Sequence, residues 1–351
     1  MEPLIHVEGL KKYYGLTGGV LKRKIADVKA VDGITLDIFK GESFGLVGES
    51  GCGKTTFGKT VIRLLEATAG RIYLDAPRKI IDEIQELESS SPSRDPERLK
   101  ELRKQHDIAT FKRKKLKKLR RRLQIVYQDP TTSLNPRMLI KDTVGEPLKV
   151  QGLAKGRDLR EGVIKTLKRV GLTERHLYRY PHEFSGGQRQ RIAVARALIT
   201  HPEFVMLDEP TSAVDVSVRG QLLNLLRELQ TEFNLTYLFV SHDLSIVECI
   251  SDRIGVMYLG KVVELAQTTE IFKNPIHPYT EALFSSIPVP DPTKRKKSAP
   301  LTGEVPSPIN PPVGCRFHPR CSFAMEICSK EEPPLIDRGN GHFVACHLME
   351  R

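Results

Sequence analysis

Nine consecutive residues, Gly48-Glu49-Ser50-Gly51-Cys52-Gly53-Lys54-Thr55-Thr56, carry the spacing G-x-x-x-x-G-K-[ST]. Glycines let such a loop wrap a polyphosphate, so that backbone N–H groups and the positive end of a following helix face the anion. Lys54 is placed to neutralise β- and γ-phosphates, and the Thr55 hydroxyl to ligate Mg²⁺. Further on, Ser185-Gly186-Gly187-Gln188 opens a second loop-to-helix entry, another anion site. Phe204-Val205-Met206-Leu207-Asp208-Glu209 is an apolar run ending in two acids. Asp208 there can hold Mg²⁺ through water, and Glu209 can polarise an attacking water. His242, in Ser241-His242-Asp243 beyond another apolar run, is a candidate γ-phosphate contact. Taken singly, an acid pair at a strand end is ordinary for any α/β protein and a strand-end histidine is more often structural; order along the chain has to decide.

These groups need a parallel sheet to position them. Ser43-Phe44-Gly45-Leu46-Val47 is short and mostly apolar, as a buried parallel strand should be, and Phe57, Val61, Leu64 and Leu65 recur at helical spacing after the loop. Leu123–Tyr127 reads as a strand delivering Gln128, and Leu235–Val240 as one delivering His242. Ile5-His6-Val7 and Ile34–Ile38 alternate apolar and polar residues, the pattern of antiparallel strands with one wet face. Gly15–Asp27 between them reads as a long loop. Ahead of it, Tyr13-Tyr14 offers an aromatic that could stack on adenine. Val163, Leu167 and Val170, then Leu222, Leu225, Leu226 and Leu229, mark amphipathic helices.

At 351 residues the chain can bury a full core and carry an appendage. Hydrophobic content of 39% and charged content of 28% are those of a soluble globular protein, and no apolar run reaches the roughly 18–20 residues that span a bilayer. Met1-Glu2-Pro3-Leu4 has no basic segment followed by an apolar core, so no secretory signal is expected and the chain is expected in the cytoplasm. Of the net charge of +12, two thirds falls within Ala76–Arg122, which holds 16 Lys/Arg against 8 Asp/Glu. Leu116, Leu119 and Leu123 give the basic run Lys112–Arg122 one apolar stripe, the pattern of a solvated surface helix; anionic lipid or a partner's acidic face are the other readings. No aromatic interleaves it, which argues against nucleic acid.

The phosphate loop, Gln128, Ser-Gly-Gly-Gln, the paired acids, Asp215 and His242 occur in one order, and together they resemble the ATPase subunit of an ATP-binding-cassette (ABC) transporter. The resemblance covers residues 4 to 351. It implies an α/β fold: a RecA-like P-loop NTPase core with an antiparallel β subdomain, an ABC α-helical subdomain and a small irregular Cys-rich C-terminal tail. It implies an ATPase domain over 1–275, with the helical part at about 130–188 and the basic insertion at about 76–122, and a tail over 276–351. By motif, Tyr14 matches the adenine-stacking aromatic, with Tyr13 the fallback. Residues Gly48 through Thr56 match the ATP loop, and Thr55, Gln128 and Asp208 the Mg²⁺ ligands. Glu209 matches the general base and His242 the switch histidine. Ser185, Gly186, Gly187 and Gln188 match the signature that caps ATP bound by a second subunit, and Asp215 the D-loop. Phe184 and Val214 stand where leucines are usual, at positions that carry no chemistry.

Asn274–Leu283, Gly303–Pro308 and Ser133–Met138 are similar to the oligopeptide/dipeptide importer ATPases, in particular to the second, "F-type" subunit. That implies a second ATPase subunit, a paralogue before a second copy of self. It also implies two transmembrane permease subunits, indirectly an extracellular or periplasmic substrate-binding protein, a peripheral place on the cytoplasmic face of the cell membrane, and no nucleic acid. A soluble ABC ATPase acting on nucleic acid or the ribosome is the alternative, and it lacks the expected coiled coil or second cassette. Four of the six cysteines, Cys315, Cys321, Cys328 and Cys346, fall in the tail, and in a cytosolic protein they argue for a metal staple over disulfides. Their spacers miss the tight knuckle of structural zinc and the pattern of a ferredoxin. The family resemblance implies a [4Fe–4S] cluster, with Zn²⁺ assisted by His318, His342 or His347 as the alternative.

Overall fold

The computed structural model describes residues 2–18, 23–89, 95–286 and 303–350. Its strands are β1 (Pro3–Gly18), β2 (Arg23–Phe39), β3 (Ser43–Val47), β4 (Ala69–Leu74), β5 (Leu123–Val126), β6 (Phe204–Asp208), β7 (Thr236–Val240), β8 (Arg253–Tyr258), β9 (Lys261–Gln267), β10 (Ile336–Asp337) and β11 (Phe343–Val344). The helices comprise α1 (Lys54–Val61), α2 (Arg78–Ser89), α3 (Pro96–His106), α4 (Arg113–Arg122), α5 (Pro130–Ser133) and α6 (Ile140–Gln151). They continue with α7 (Gly156–Arg169), α8 (Gly186–Leu198), α9 (Val216–Phe233), α10 (Leu244–Ile250), α11 (Thr268–Lys273) and α12 (Pro278–Ser285). Two compact units result. One is Met1–Ile5, Ile38–Glu42 and Tyr73–Phe239; the other is His6–Asp37, Ser43–Ile72 and Val240–Arg351.

In the first unit β5 runs parallel to β6, with Leu123 opposite Phe204 and Val126 opposite Leu207, and β7 lies on the other side of β6. Every residue of β6 and β7 is buried, which is why both read as continuous apolar runs rather than alternations. The basic insertion belongs to this unit and has a small core of its own. Ile81 and Ile84 of α2 and Leu102 of α3 pack with Tyr73 and Ala76. Arg98 to Glu83 at 2.9 Å links the two helices on the outside. α3 starts where Asp95 accepts the Arg98 N–H at 2.9 Å with Pro96 in its first turn, a strong N-terminal signal. α4 is the expected basic helix. Leu119 is buried, Leu116 partly so, and Lys112 to Lys115, Lys117, Lys118, Arg120 and Arg121 are exposed. The helix stops at Arg122, whose guanidinium grips Glu203 with two hydrogen bonds of 2.6 Å, so Leu123 opens β5 instead of ending the helix.

In the second unit β1 lies between β2 and β4 in a three-stranded sheet. Of the long loop expected over Gly15–Asp27, residues 15–18 continue β1 and residues 23–27 belong to β2, while residues 19–22 lie outside the described residues. A long two-strand ribbon satisfies the backbone groups that an open loop would leave to water. β3 pairs in parallel with β8, Phe44 opposite Arg253, and β8 pairs antiparallel with β9 across a bulge at Val256/Met257.

The tail departs from the expected irregular appendage. β11 adds to β9 antiparallel, with Phe343 opposite Leu265 and Val344 opposite Glu264, and β10 adds to β11. A segment too poor in apolar residues for its own core thus covers an open sheet edge and shares the core already there. Fully buried Glu264 locks this junction by accepting from the Ile276 and His277 N–H groups, at 2.8 and 2.9 Å, and by meeting His342 Nε2 at 2.7 Å. A buried carboxylate with its lone pairs so filled is stable where a lone one would not be.

Candidate functional site

β3 feeds the glycine-rich loop directly into α1, as the motif requires. Gly53 has φ 108° and Gly48 φ 148°. A Cβ at Gly53 would stand 2.0 Å from the Ala30 carbonyl oxygen, and one at Gly48 2.2 Å from that of Met257. The loop is therefore seated against backbone on two sides, and only glycine fits at these points. Lys54 is buried, its Nζ donating to the carbonyls of Gly48 at 2.8 Å and Glu49 at 2.9 Å, with Cys52 Sγ at 3.6 Å. The ammonium is thus preset inside the loop, where phosphate oxygens can take the place of carbonyls. Burial pushes the Cys52 thiol above its ordinary pKa, consistent with a small packing residue. One donor departs from the expected cradle: the Glu49 N–H is spent on the Tyr279 hydroxyl at 2.9 Å and not turned to an anion. α1 is shorter than the periodicity suggests, ending at Val61 with Leu64 exposed.

Tyr14 is exposed, with Lys12 Nζ 5.0 Å from its ring centroid. Tyr13, the fallback, is engaged elsewhere, donating its hydroxyl to Asp32, which also accepts from Arg316. Burial, and then that hydrogen bond, push the Tyr13 hydroxyl far above its usual range. His242, exposed, stands in the same unit as the glycine loop, just before Asp243, which caps α10.

The other unit gathers Gln128, Asp208, Glu209, Ser185 and Asp215. Asp208 is buried at the end of β6. Glu209 follows with φ 47°, an uncommon conformation for a glutamate, and its carboxylate accepts from Gln128 Nε2 at 2.7 Å. Ser212 Oγ donates to the Glu209 carbonyl at 2.9 Å and holds the turn. Ser185 caps α8 reciprocally: its hydroxyl accepts the Gln188 N–H at 3.3 Å and its own N–H donates to Gln188 Oε1 at 3.1 Å. That places Ser185, Gly186 and Gln188 in the open at a helix N-terminus of thirteen residues, suited to an anion brought from outside. Asp215 precedes α9 with no side-chain cap bond. Phe184 and Val214 are both buried, so each fills its leucine's place with apolar volume.

All six cysteines are free thiols. Cys249 is exposed on α10, and the tail four lie close enough to influence one another. Burial pushes Cys315 up to about 11, with Cys328, Cys346 and Cys321 adding to the rise. Backbone N–H groups of Phe317, Phe323 and Leu348 reach the sulfurs of Cys315, Cys321 and Cys346, each two residues on. Among the described residues, however, no group of three or more His, Cys, Asp or Glu side chains is arranged to hold a metal ion. The expected [4Fe–4S] or zinc group on Cys315, Cys321, Cys328 and Cys346 is not supported by this arrangement. Nor do the histidines turn to the sulfurs. His318 Nδ1 meets the Cys315 carbonyl at 2.9 Å, His342 Nε2 meets Glu264, and His347 Nε2 meets the Glu331 carbonyl at 3.0 Å.

Two side chains at the glycine loop are not visible in any motif of nucleotide binding: Tyr279, on the Glu49 N–H, and Arg320, on the Glu49 carboxylate. Tyr279 lies within a stretch that marks the importer branch, which was the only signal available for it.

Comparison with known proteins places this arrangement. The family model described as "ABC transporter" matches residues 31–212, and that described as "Oligopeptide/dipeptide transporter, C-terminal region" matches residues 263–328. The chain is 47% identical, over 99% of its length and 98% of the relative's, to the oligopeptide transport ATP-binding protein AppF of Bacillus subtilis. It is 41% identical to a probable peptide ABC transporter ATP-binding protein of Sinorhizobium fredii, over 99% of this chain and 90% of that one. Among solved structures, cbiO1 of Clostridium perfringens, part of the ABC transporter complex cbiONQ, aligns with TM-score 0.59 and 26% identity, over 78% of this chain and 92% of that one. The dimeric bacterial ABC transporter cassette MJ0796 aligns with TM-score 0.59 and 25% identity, over 75% and 98%.

Proposed function

This chain belongs to the ABC transporter ATP-binding family, in the branch with the oligopeptide/dipeptide C-terminal region, and from that premise we propose that it powers import of di- or oligopeptides by ATP hydrolysis. The observation that carries this reading is 47% identity to an oligopeptide transport ATP-binding protein across nearly the whole of both chains, tail included. Lys54 and the loop Gly48–Thr56 bind the phosphates of ATP, Tyr14 stacks on adenine, and Thr55, Gln128 and Asp208 hold Mg²⁺. Glu209 takes the proton of the attacking water and His242 holds the γ-phosphate. A cassette's own loop leaves one side of the γ-phosphate wet. A second cassette closes it with Ser185, Gly186 and Gly187, and Asp215 lines the same seam, so that two ATP molecules are sandwiched. The related cassette MJ0796 is known in dimeric form, which supports this arrangement.

The partner ATPase is a paralogue before a second copy of this chain. Two permease subunits receive the motion, and a substrate-binding protein delivers cargo to them. Among the described residues no helix is long and apolar enough to cross a membrane, which fits a peripheral subunit docked on the cytoplasmic face. The division into an ATPase domain at 1–275, with its helical part at about 130–188, and a tail at 276–351 belongs to the same reading.

Reconstitution with permease and peptide-loaded binding protein is expected to stimulate ATPase activity several-fold. Stimulation by DNA or RNA with a steep salt dependence, and none by permease, would instead favour the nucleic-acid alternative.

A [4Fe–4S] group on the tail cysteines is proposed on the family resemblance, and N–H groups at three of the four sulfurs, those of Cys315, Cys321 and Cys346, would favour it. Such a group would staple the tail through Cys315, Cys321, Cys328 and Cys346. Protein purified without oxygen is expected to carry about four irons and acid-labile sulfide per chain. Colourless protein with one zinc, or with no metal, removes the cluster from the reading.

A further inference from the structure

The loop residue between Gly48 and Ser50 is an acid, Glu49, in a loop otherwise suited to bind a polyanion. An unpaired carboxylate there opposes a triphosphate and competes for Lys54, whose Nζ sits 2.9 Å from the carbonyl of that same residue. The C-terminal tail removes the problem. Arg320 reaches back over 271 positions and grips both oxygens of Glu49, Nη1 to Oε2 at 2.7 Å and Nη2 to Oε1 at 3.0 Å. This fork-to-fork pair is the strongest geometry available to a guanidinium and a carboxylate.

The guanidinium is itself held in place. Its side chain is 5% exposed and lies 5.8 Å from the Tyr258 ring centroid, with Nη1 3.4 Å from the Tyr258 hydroxyl. Tyr258 in turn packs against Tyr279 at 4.7 Å and Phe317 at 5.3 Å. The hydrogen bond to the Glu49 carboxylate raises the guanidinium still further above its ordinary pKa. All three polar groups of Glu49 are then fixed: N–H on Tyr279, carbonyl on Lys54, carboxylate on Arg320.

We propose that Arg320 is a positioning residue of the nucleotide site, neutralising Glu49 and turning its carboxylate away, so that the tail presets the phosphate loop for ATP. The tail's function is thereby tied to nucleotide affinity and is not limited to covering a sheet edge. The inference rests on the reading that the glycine loop binds ATP.

The test is equilibrium binding of Mg²⁺–AMP-PNP to the full chain, with melting temperatures and steady-state kinetics recorded alongside. Arg320→Gln is expected to weaken binding about tenfold and to raise KM by a similar factor, with kcat within about threefold. Adding Glu49→Gln to that variant is expected to recover most of the loss, because the unpaired carboxylate is then gone. Arg320→Lys, keeping the charge without the fork, is expected to fall between wild type and Arg320→Gln. A double variant as weak as Arg320→Gln overturns the proposal, as does unchanged binding in Arg320→Gln. Should Arg320→Gln fail to fold, Arg320→Lys with and without Glu49→Gln is read in the same way. Failure of the wild-type chain to bind AMP-PNP would sink the ATPase reading itself, a different result from wild-type binding with indifferent variants.

Discussion

Glu209→Gln is expected to bind Mg²⁺–ATP as the native chain does and to hold the closed pair of cassettes together, while hydrolysis falls roughly 10²–10⁴-fold, the scale of general-base removal. Glu209 stands at the end of buried β6 with φ 47°, its carbonyl held by Ser212 and its carboxylate by Gln128 at 2.7 Å. Glutamine has the same length and keeps an oxygen for the Gln128 amide, so the geometry survives while the proton acceptor is lost. Nothing that touches phosphate or adenine changes, which is why binding and chemistry should separate. Phosphate release measures the chemistry, and a stable pair on size-exclusion chromatography in Mg²⁺–ATP measures closure. Turnover at the native rate would place the base elsewhere. Loss of binding would mean that residue 209 is needed for its backbone conformation and not for its carboxylate.

Gly53→Ala is expected to weaken ATP binding by roughly two orders of magnitude or more. The added methyl would stand 2.0 Å from the Ala30 carbonyl oxygen, a backbone atom with no rotamer to escape into, and φ 108° excludes it independently. Strain of about 1–3 kcal/mol from the backbone and a comparable overpacking cost of about 1–3 kcal/mol fall on the loop alone, because α1 begins at the next residue. Gly51 is the internal comparison, with φ 78° but open space around its Cβ position. Gly51→Ala should therefore lose much less, on the order of the 1–2 kcal/mol cost of a left-handed non-glycine residue. Isothermal titration of both variants checks the difference, and equal losses would show that close approach to Ala30 is not what makes Gly53 necessary.

Local chemistry was legible because it needs only neighbours in the chain. A strand, a glycine loop and a helix follow one another over Ser43–Val61, and Ser185 with Gln188 makes its own cap, so motif and geometry coincide. Gln128 and Glu209 were both candidates in the sequence, but the 2.7 Å bond between them depends on β5 lying beside β6, which a separation of 81 positions does not declare. Motif alone ranks Tyr14 ahead of Tyr13 without saying what else either side chain does. Asp32 and Arg316 separate them by engaging one and leaving the other exposed. The long loop expected over Gly15–Asp27 gives way to strand at residues 15–18 and 23–27 for a related reason, since Gly15, Gly18 and Lys24 signal a turn while strand pairing overrides them.

By itself the sequence determined the nucleotide chemistry, the family and the branch, because those reside in short runs whose residue types and order are the mechanism. Tertiary structure alone decided what the tail does. β11 completes the edge of β9, and Arg320 meets Glu49 across 271 positions, since a buried charge finds its counterion by folding and no spacing rule records where that will be.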